Sequence, residues 1–312
     1  MATYLVTGGA GFIGSHIVEG LVERGEKVRV LDNLSTGKKE NLAPFVDRIE
    51  LLEGDIRDLE TCRRAVEGTD HVLHQAAVAS VALSVEDPLL TNAVNVTGTL
   101  NLLVAARDAG VRNFVLASSS AVYGDDPSPA KVEGREGKPQ SPYGVSKLVG
   151  EKYAQAFHAL HGMKTVALRY FNVFGPRQDP ASQYAAVIPL FITRILAGQR
   201  PVVYGDGEQS RDFIYVKNVV EANILAAGSS GGGGEAVNIA CGRRMTVNAL
   251  LGAVNGALGS GVEAVHAAPR PGDIVHSAAD IGKARRVIGY EPRIAFMEGL
   301  KETVAWYQQR RQ

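Results

Sequence analysis

The segment Leu5-Val-Thr-Gly-Gly-Ala-Gly-Phe-Ile-Gly14 constrains this chain more than any other. An apolar run ends at Thr7, a helical pattern begins at Phe12, and Gly8, Gly11 and Gly14 are spaced through the junction. Without Cβ atoms, glycines permit a tight strand-to-helix turn and let the helix lie close to the strand. They also leave the first N–H groups of the helix open to an anion, which the helix dipole favours. A ligand-free tight turn has the same glycine content, so the pattern gains meaning only from the rest of the chain.

Downstream, apolar runs alternate with helical patterns. Tyr4–Thr7, Lys27–Leu31, Ile49–Leu52, His71–His74, Phe114–Ala117 and Thr165–Arg169 read as buried strands. Helical patterns cover Phe12–Glu23, Leu59–Val66, Pro88–Ala109 and Val145–His161. Such a chain predicts an α/β fold, a parallel sheet covered by helices on both faces. After Gly175-Pro176 the rhythm breaks, Gly228-Ser-Ser-Gly-Gly-Gly-Gly234 reads as a flexible connection, and Ala236–Ala240 reads as a further strand. The expected organisation is a nucleotide-binding domain over 1–175, rejoined by segments near 212–241, and a smaller interleaved lobe drawn mainly from 176–312.

Bulk properties narrow the partners. In 312 residues, 33 basic and 33 acidic side chains cancel, so no global charge draws the protein to nucleic acid or an anionic membrane. The two cysteines, Cys62 and Cys241, lack metal-ligand spacing, no metal site is expected, and both read as buried thiols. No apolar stretch reads as a membrane span and no signal peptide precedes the first strand, which points to the cytoplasm.

Tyr143-Gly-Val-Ser-Lys147 supplies the chemistry. Residues four apart share one helix face, so the lysine ammonium lies near the phenol and favours its ionised form. Bringing a phenol from about pH 10 toward neutrality takes roughly 4 kcal/mol of differential stabilisation. On an isolated helix the same pair is a solvated face; downstream of the glycine turn it reads as a redox site. Asp32 closes the second strand, where a carboxylate accepts adenosine ribose hydroxyls and repels a 2′-phosphate, favouring NAD over NADP. A strand-end turn former is the alternative for Asp32, and Lys38 and Lys39 keep NADP open. Asp55-Ile56 follows the third strand, within reach of the adenine or as a surface turn, and Gln75-Ala76-Ala77 follows the fourth. Asn95 either meets the cofactor or holds adjacent strands together.

Thr7-Gly-Gly-Ala-Gly-Phe-Ile-Gly, Asp32-Asn-Leu-Ser-Thr-Gly, Ser118-Ser-Ser-Ala-Val-Tyr-Gly, Tyr143–Lys147, Arg169-Tyr-Phe-Asn-Val-Phe-Gly, Gly205-Asp-Gly-Glu-Gln-Ser-Arg-Asp-Phe and Arg270-Pro-Gly-Asp occur in that order. In this the chain resembles the extended short-chain dehydrogenase/reductases, and among them the nucleotide-sugar 4-epimerases. The resemblance implies a Rossmann-type doubly wound sheet that binds NAD, with the smaller lobe holding a UDP-sugar. Around the cofactor it implies Gly8, Gly11, Phe12, Ile13 and Gly14 at the diphosphate. Asp32, Asn33, Ser35, Thr36 and Gly37 would lie at the ribose, with Asp55, Ile56, Gln75, Ala76, Ala77, Asn95, Ser118, Tyr170 and Val173 completing the site. Tyr143 would be the base, Lys147 would bind the nicotinamide ribose and depress the phenol pKa, and Ser119, Ser120 or both would touch the sugar 4-hydroxyl. A homodimer through Pro88–Ala109 and Val145–His161 is also implied.

Related dehydratases carry an Asp-Glu pair, and decarboxylases an acidic residue, where this chain has Ser120 and Ala121. Alanine cannot move protons, so what remains is oxidation at C4 of the sugar, rotation of the 4-keto sugar in the pocket, and reduction from the opposite face. For the sugar, the resemblance points to Arg211 and Arg270 as diphosphate clamps, with surface salt bridges to Asp212 and Asp273 as the alternative. Asn172 would contact the diphosphate and Tyr204 the uridine, while Ala186 and Val187 would wall the pocket. Ser277 matches a gatekeeper that is small where N-acetyl sugars are accepted; Ser80, Gln178 and Ala186 point the same way, whereas Ala79 departs from that subgroup. The expectation is interconversion of UDP-GlcNAc and UDP-GalNAc, with UDP-glucose and UDP-galactose as further substrates. UDP-glucuronate epimerisation, a nucleotide-sugar dehydrogenase or reductase, and an NAD-sensing regulator without turnover are the rivals.

Overall fold

The structure, a computed structural model, describes residues 1–180, 186–269 and 276–310. Its centre is a seven-stranded sheet in the order β3-β2-β1-β4-β5-β6-β11. The strands are β1 Thr3–Thr7, β2 Lys27–Asp32, β3 Ile49–Glu53, β4 His71–His74, β5 Asn113–Ser119, β6 Lys164–Tyr170 and β11 Glu235–Ile239, and every neighbouring pair is parallel. Strand side chains alternate between faces, and two separate cores result. Tyr4, Val6, Val28, Val30, Val115 and Leu168 lie on one face, with helices α1 (Phe12–Glu23) and α8 (Val216–Gly228). Leu5, Leu31, Phe114, Leu116 and Ala167 lie on the other, with α2 (Leu59–Val66), α5 (Thr99–Asp108) and α6 (Pro142–His161). Burial on both faces is why the inner strands read as apolar runs, whereas β3, expected to be buried, lies at the sheet edge with no residue fully buried.

After β3 the chain crosses to the far side of β1 to make β4. That reversal opens a crevice at the carboxyl ends of β1 and β4, where sheets of this kind take ligands. A third core lies beyond the sheet. Helices α7 (Val187–Leu196), α9 (Val247–Leu258) and α11 (Phe296–Gln309) bury Ile188, Phe191, Leu250, Val254, Leu300 and Val304 together with Phe174, Val203 and Tyr215. Small strand pairs edge it: β7 (Asn172–Phe174) with β10 (Phe213–Tyr215), β9 (Ser210–Arg211) with β12 (Met245–Thr246), and β8 (Val202–Tyr204) with β13 (Val265–Ala267). Helix α10 (Gly282–Ile288) lies beside β11 and buries Ala284 and Ile288 in the first core.

The helical pattern over Pro88–Ala109 is one rod to Asp108, built from α4 (Pro88–Asn92), a π-helical stretch Ala93–Gly98 and α5. The short helix α3 (Val81–Glu86) precedes it. By length and composition this rod would suffice to cross a membrane, contrary to the sequence reading, but Leu102, Leu103, Ala105 and Ala106 are buried against the sheet. The helix expected from Val145 begins earlier, at Pro142, because Ser141 caps it by accepting the Gly144 N–H at 3.1 Å. Cys62 is fully buried, while Cys241 is only partly so, a correction to the reading of two buried thiols.

The turn before α1 has no slack. A Cβ on Gly14 would sit 2.1 Å from the Gly8 carbonyl oxygen and 2.8 Å from the Gly9 Cα, both backbone atoms. Gly14→Ala is therefore expected to lose more than the roughly 1–3 kcal/mol typical of an overpacked core. Gly252→Ala in α9, where no heavy atom lies within 4 Å, should gain about 0.5–1 kcal/mol. Denaturant midpoints of the two variants check the contrast.

Candidate active site

Gly8 sits at φ 67°, and a Cβ there would lie 2.7 Å from the Ala76 nitrogen, so the β1 turn and the β4 turn touch at backbone distance. Helix α1 starts at this point with no side-chain cap and no acidic residue in its first turn, which leaves the N-terminus of Phe12 and Ile13 suited to a diphosphate. Asp32 is buried and accepts N–H bonds from Ala10 at 2.9 Å and Leu34 at 2.8 Å. A Cβ on Gly37 would approach its carboxylate to 2.9 Å, so the Ser35-Thr36-Gly37 loop wraps the acid closely. Asn33 donates to Asp55 at 2.8 Å, and Asp55 is held near pH 2 first by its bond to Arg57. Ile56 is buried under the rod. Lys38 pairs with Asp179 at 3.0 Å and Lys39 with Glu53, so both lysines that left NADP open are engaged by carboxylates. The donor set, the glycine cradle and the ribose carboxylate fit a dinucleotide without a 2′-phosphate.

Gln75 donates to Asn223 at 3.0 Å, and the Tyr170 hydroxyl lies 3.1 Å from the amide oxygen of each, which fixes the floor between β4 and β6. Asn95, in the π-helical stretch, accepts the Val78 N–H at 2.8 Å and donates to the Val78 carbonyl and to Ser146 at 3.0 Å. It thus binds the loop after Ala77 to the helix that carries Tyr143. A second line runs through His74, whose ring nitrogens lie 2.7 Å from the Thr7 hydroxyl and 2.9 Å from that of Thr99. Burial, with help from the Lys147 charge, brings His74 down to about pH 3, so it is neutral here.

Tyr143 stands in the first turn of α6, its N–H donating to Ser84 at 3.0 Å. Burial pushes its phenol pKa up, and the opposing influence is a hydrogen bond with Ser119. Lys147 lies one turn on, with Nζ 5.9 Å from the tyrosine ring centre and donating to the Ala117 carbonyl at 2.8 Å. Burial lowers its pKa to about 8. The expected depression of the phenol by this ammonium is therefore not what the arrangement gives by itself; desolvation outweighs it. Of the two candidate serines, Ser119 is the one whose hydroxyl acts on the phenol, and it accepts the Ala121 N–H at 3.1 Å, while Ser120 opens the short turn Ser120–Tyr123.

The candidates for the sugar nucleotide come from scattered segments. Asn172 donates to the Asp212 carbonyl at 3.3 Å, and Arg211 follows on β9, where its Nη1 donates to the Ser210 carbonyl at 3.0 Å. Asp212 accepts backbone N–H bonds from Cys241 at 2.9 Å and Arg243 at 3.2 Å, and burial raises it to about pH 6. Ser277 is buried, with its N–H on the Ser210 carbonyl at 3.0 Å. Gln178 donates to the Val173 carbonyl at 3.2 Å, and its buried Oε1 has no hydrogen-bond partner among the described residues. Ala186 precedes α7, which Val187 begins, and Tyr204 lies half-exposed at the end of β8. Ser80 caps α3 by accepting the Leu83 N–H at 3.1 Å. Arg270 and Asp273 lie outside the described residues.

Sequence reasoning missed Ser84, Ser146, Asn223 and, above all, Glu151. Ser118 donates to Glu151 at 2.5 Å, and Glu151 is fully buried. Only its place four residues beyond Lys147 signalled it.

A family model described as "NAD dependent epimerase/dehydratase family" matches residues 4–240. The UDP-glucose 4-epimerase of Mycolicibacterium smegmatis is 39% identical over 312 residues, 99% of each chain. Among solved structures, the UDP-N-acetylglucosamine 4-epimerase of Methanobrevibacter ruminantium M1 in complex with UDP-N-acetylmuramic acid is 45% identical, with TM-score 0.95 and 99% of both chains covered. The UDP-glucose 4-epimerase of Thermus thermophilus, in complex with NAD, is 42% identical, with TM-score 0.89 and 98% and 99% covered.

Lys147 gives a prediction of definite sign. Its folded pKa, about 8, lies below the ordinary 10.5, so the folded protein binds fewer protons than the unfolded chain between those values. The burial penalty is complete below the folded value and fades as pH rises toward the unfolded one. Lys147→Met should raise the stability of cofactor-free protein at neutral pH by up to about 3 kcal/mol, with the gain shrinking toward pH 10. Urea titrations at both ends of that range measure it; no gain at neutral pH would contradict a buried ammonium.

Proposed function

The chain belongs to the NAD dependent epimerase/dehydratase family, and from that premise we propose that it interconverts UDP-hexoses at C4 through a transient 4-keto sugar. The observation that carries this is the buried Tyr143 phenol, beside Ser119 at the carboxyl end of β5 and one helical turn from Lys147. Bound NAD supplies a reversible hydride acceptor. Tyr143 takes the proton of the sugar 4-hydroxyl and later returns it, and Ser119 orients that hydroxyl. Lys147 holds a positive charge beside the phenol, within a site dry enough to strengthen it. Ala121 offers no acid or base for loss of water or of carboxylate, which favours epimerisation over those branches.

For the sugar, UDP-GlcNAc and UDP-GalNAc are the favoured pair. Ser277 is small, and its neighbours Ser210 and Arg211 come from the strand proposed to face the diphosphate. Arg211, Asn172 and Arg270 would contact phosphate oxygens, Tyr204 the uridine, and Gln178, Ala186 and Val187 the sugar. On this reading the lobe centred on α7, α9 and α11 is the substrate lobe, and the sheet domain holds the cofactor.

Purified protein incubated with UDP-GlcNAc and no added cofactor is expected to form UDP-GalNAc; stoichiometric release of reduced cofactor would instead mark a dehydrogenase. Tyr143→Phe should lower turnover by at least about a hundredfold. Ser277→Tyr should cut UDP-GlcNAc turnover about tenfold or more relative to UDP-glucose, a steric loss of a kcal/mol or two. Equal loss for both sugars would remove Ser277 from the pocket.

A second copy of the chain is proposed as partner. Val85 is 64%, Leu89 81% and Val145 48% exposed on α3, α4 and α6, the helices that pack together on this side of the sheet, and paired apolar helices are a common basis for a two-fold interface. Sedimentation is expected to show a dimer that Leu89→Asp weakens; a parent that sediments as a monomer at tens of micromolar would refute it.

A further inference from the structure

The face of α6 that bears Tyr143 and Lys147 continues for one more turn to Glu151. All three residues meet the last residues of β5. The Tyr143 phenol stands beside the Ser119 hydroxyl, Lys147 donates to the Ala117 carbonyl, and Glu151 accepts from Ser118. The proposed reaction uses the first two contacts and leaves the third unexplained.

That third contact is the most tightly held. Ser118 and Glu151 are both buried. Arg169 lies opposite Ser118 in the β5–β6 register and forks onto the carboxylate, with Nε 2.8 Å from Oε1 and Nη2 2.7 Å from Oε2. A carboxylate removed from water persists only when its oxygens are bonded and its charge is matched, so this geometry resists change. The guanidinium faces two further groups: Glu136 at 2.5 Å from Nη1, and the ring of Tyr123 at 4.9 Å. Arg169 is therefore matched by two carboxylates, of which Glu151 is the one on the helix.

Ser118 and Ser119 are adjacent in an extended strand, so their side chains leave opposite faces. Ser118 points down to α6 and is anchored there. Ser119 hangs at the strand end, and the backbone it shares with Ser118 sets where its hydroxyl stands. We propose that Glu151 is a positioning residue: with Ser118 and Arg169 it fixes the end of β5 against α6, and so fixes the Ser119 hydroxyl against the phenol of Tyr143. The ion pair acts as a spacer between strand and helix, and loosening it lets the Ser119 hydroxyl drift from the phenol whose ionised form it favours.

This deepens the proposed reaction and rests on it for its kinetic arm, but the phenol can be titrated without any sugar. Ser118→Ala removes one bond and keeps the ion pair, so it folds even if Glu151→Gln does not. Each variant is compared with its own Tyr143→Phe derivative by difference absorbance at 295 nm, which isolates that one tyrosine. Ser118→Ala is expected to move the Tyr143 midpoint upward by about one pH unit, the equivalent of tenfold. Turnover should fall about tenfold at neutral pH with KM within about twofold, and the loss should shrink as the pH rises, because the rate follows the ionised phenol. Glu151→Gln should move both readouts further in the same direction. A folded Ser118→Ala with the parent's midpoint and pH profile overturns the proposal, as does a loss confined to KM. If the parent turns over no UDP-sugar the proposed reaction fails, while the midpoint alone still decides the role of Glu151.

Discussion

The groups proposed to react hang on one seam, where α6 lies against the carboxyl end of β5. Two neutral surfaces packed this way would slide until their methyl groups fit. This seam is pinned instead by polar contacts in a dry setting: Lys147 on the Ala117 carbonyl, and Glu151 on Ser118 and Arg169. Each is costly to break once water is excluded. The parallel sheet sets the height of β5, the seam sets the distance of the helix, and Tyr143 inherits its position from both.

Desolvation dominates the electrostatics of the buried site groups. It lifts Tyr143, lowers Lys147, neutralises His74 and raises Asp212. Ordinary reactivities are thereby unbalanced before any ligand arrives, and small hydrogen-bonding changes at Ser119 act on a group already displaced from its solution behaviour. Asp212 plays a different part. Its carboxylate gathers backbone N–H groups from the loop after β11 and so holds Arg211 on a fixed strand.

The sheet and the third core are tied alongside α1 by the short stretch after β7. The Pro176 carbonyl lies 3.0 Å from His16, Arg177 donates to Glu19 at 2.7 Å, and Asp179 pairs with Lys38 at 3.0 Å. Arg177 takes a left-handed φ of 65°, an unusual conformation for a residue with a Cβ. Its bond to Glu19 on α1 and its approach to the Phe45 ring hold it there. The glycine turn is thus flanked by a strap that begins the second lobe.

Much of this was legible in the chain itself. Glycine spacing declared the strand-to-helix turn because a Cβ on Gly8 or Gly14 would meet backbone atoms at 2.7 Å and 2.1 Å. Most of the early strands declared themselves because burial on both faces demands apolar runs, though β3 at the sheet edge is not buried, and the Tyr143–Lys147 pair because helical geometry needs no partner to place residues one turn apart. What sequence could not decide was which polar groups would lose their water. Nothing local marks Glu151 as buried, Asn95 as the link to Ser146, Ser119 over Ser120 as the phenol's partner, or Lys38 and Lys39 as engaged by Asp179 and Glu53. Those outcomes depend on contacts between residues far apart in the chain, and only the folded packing brings them together.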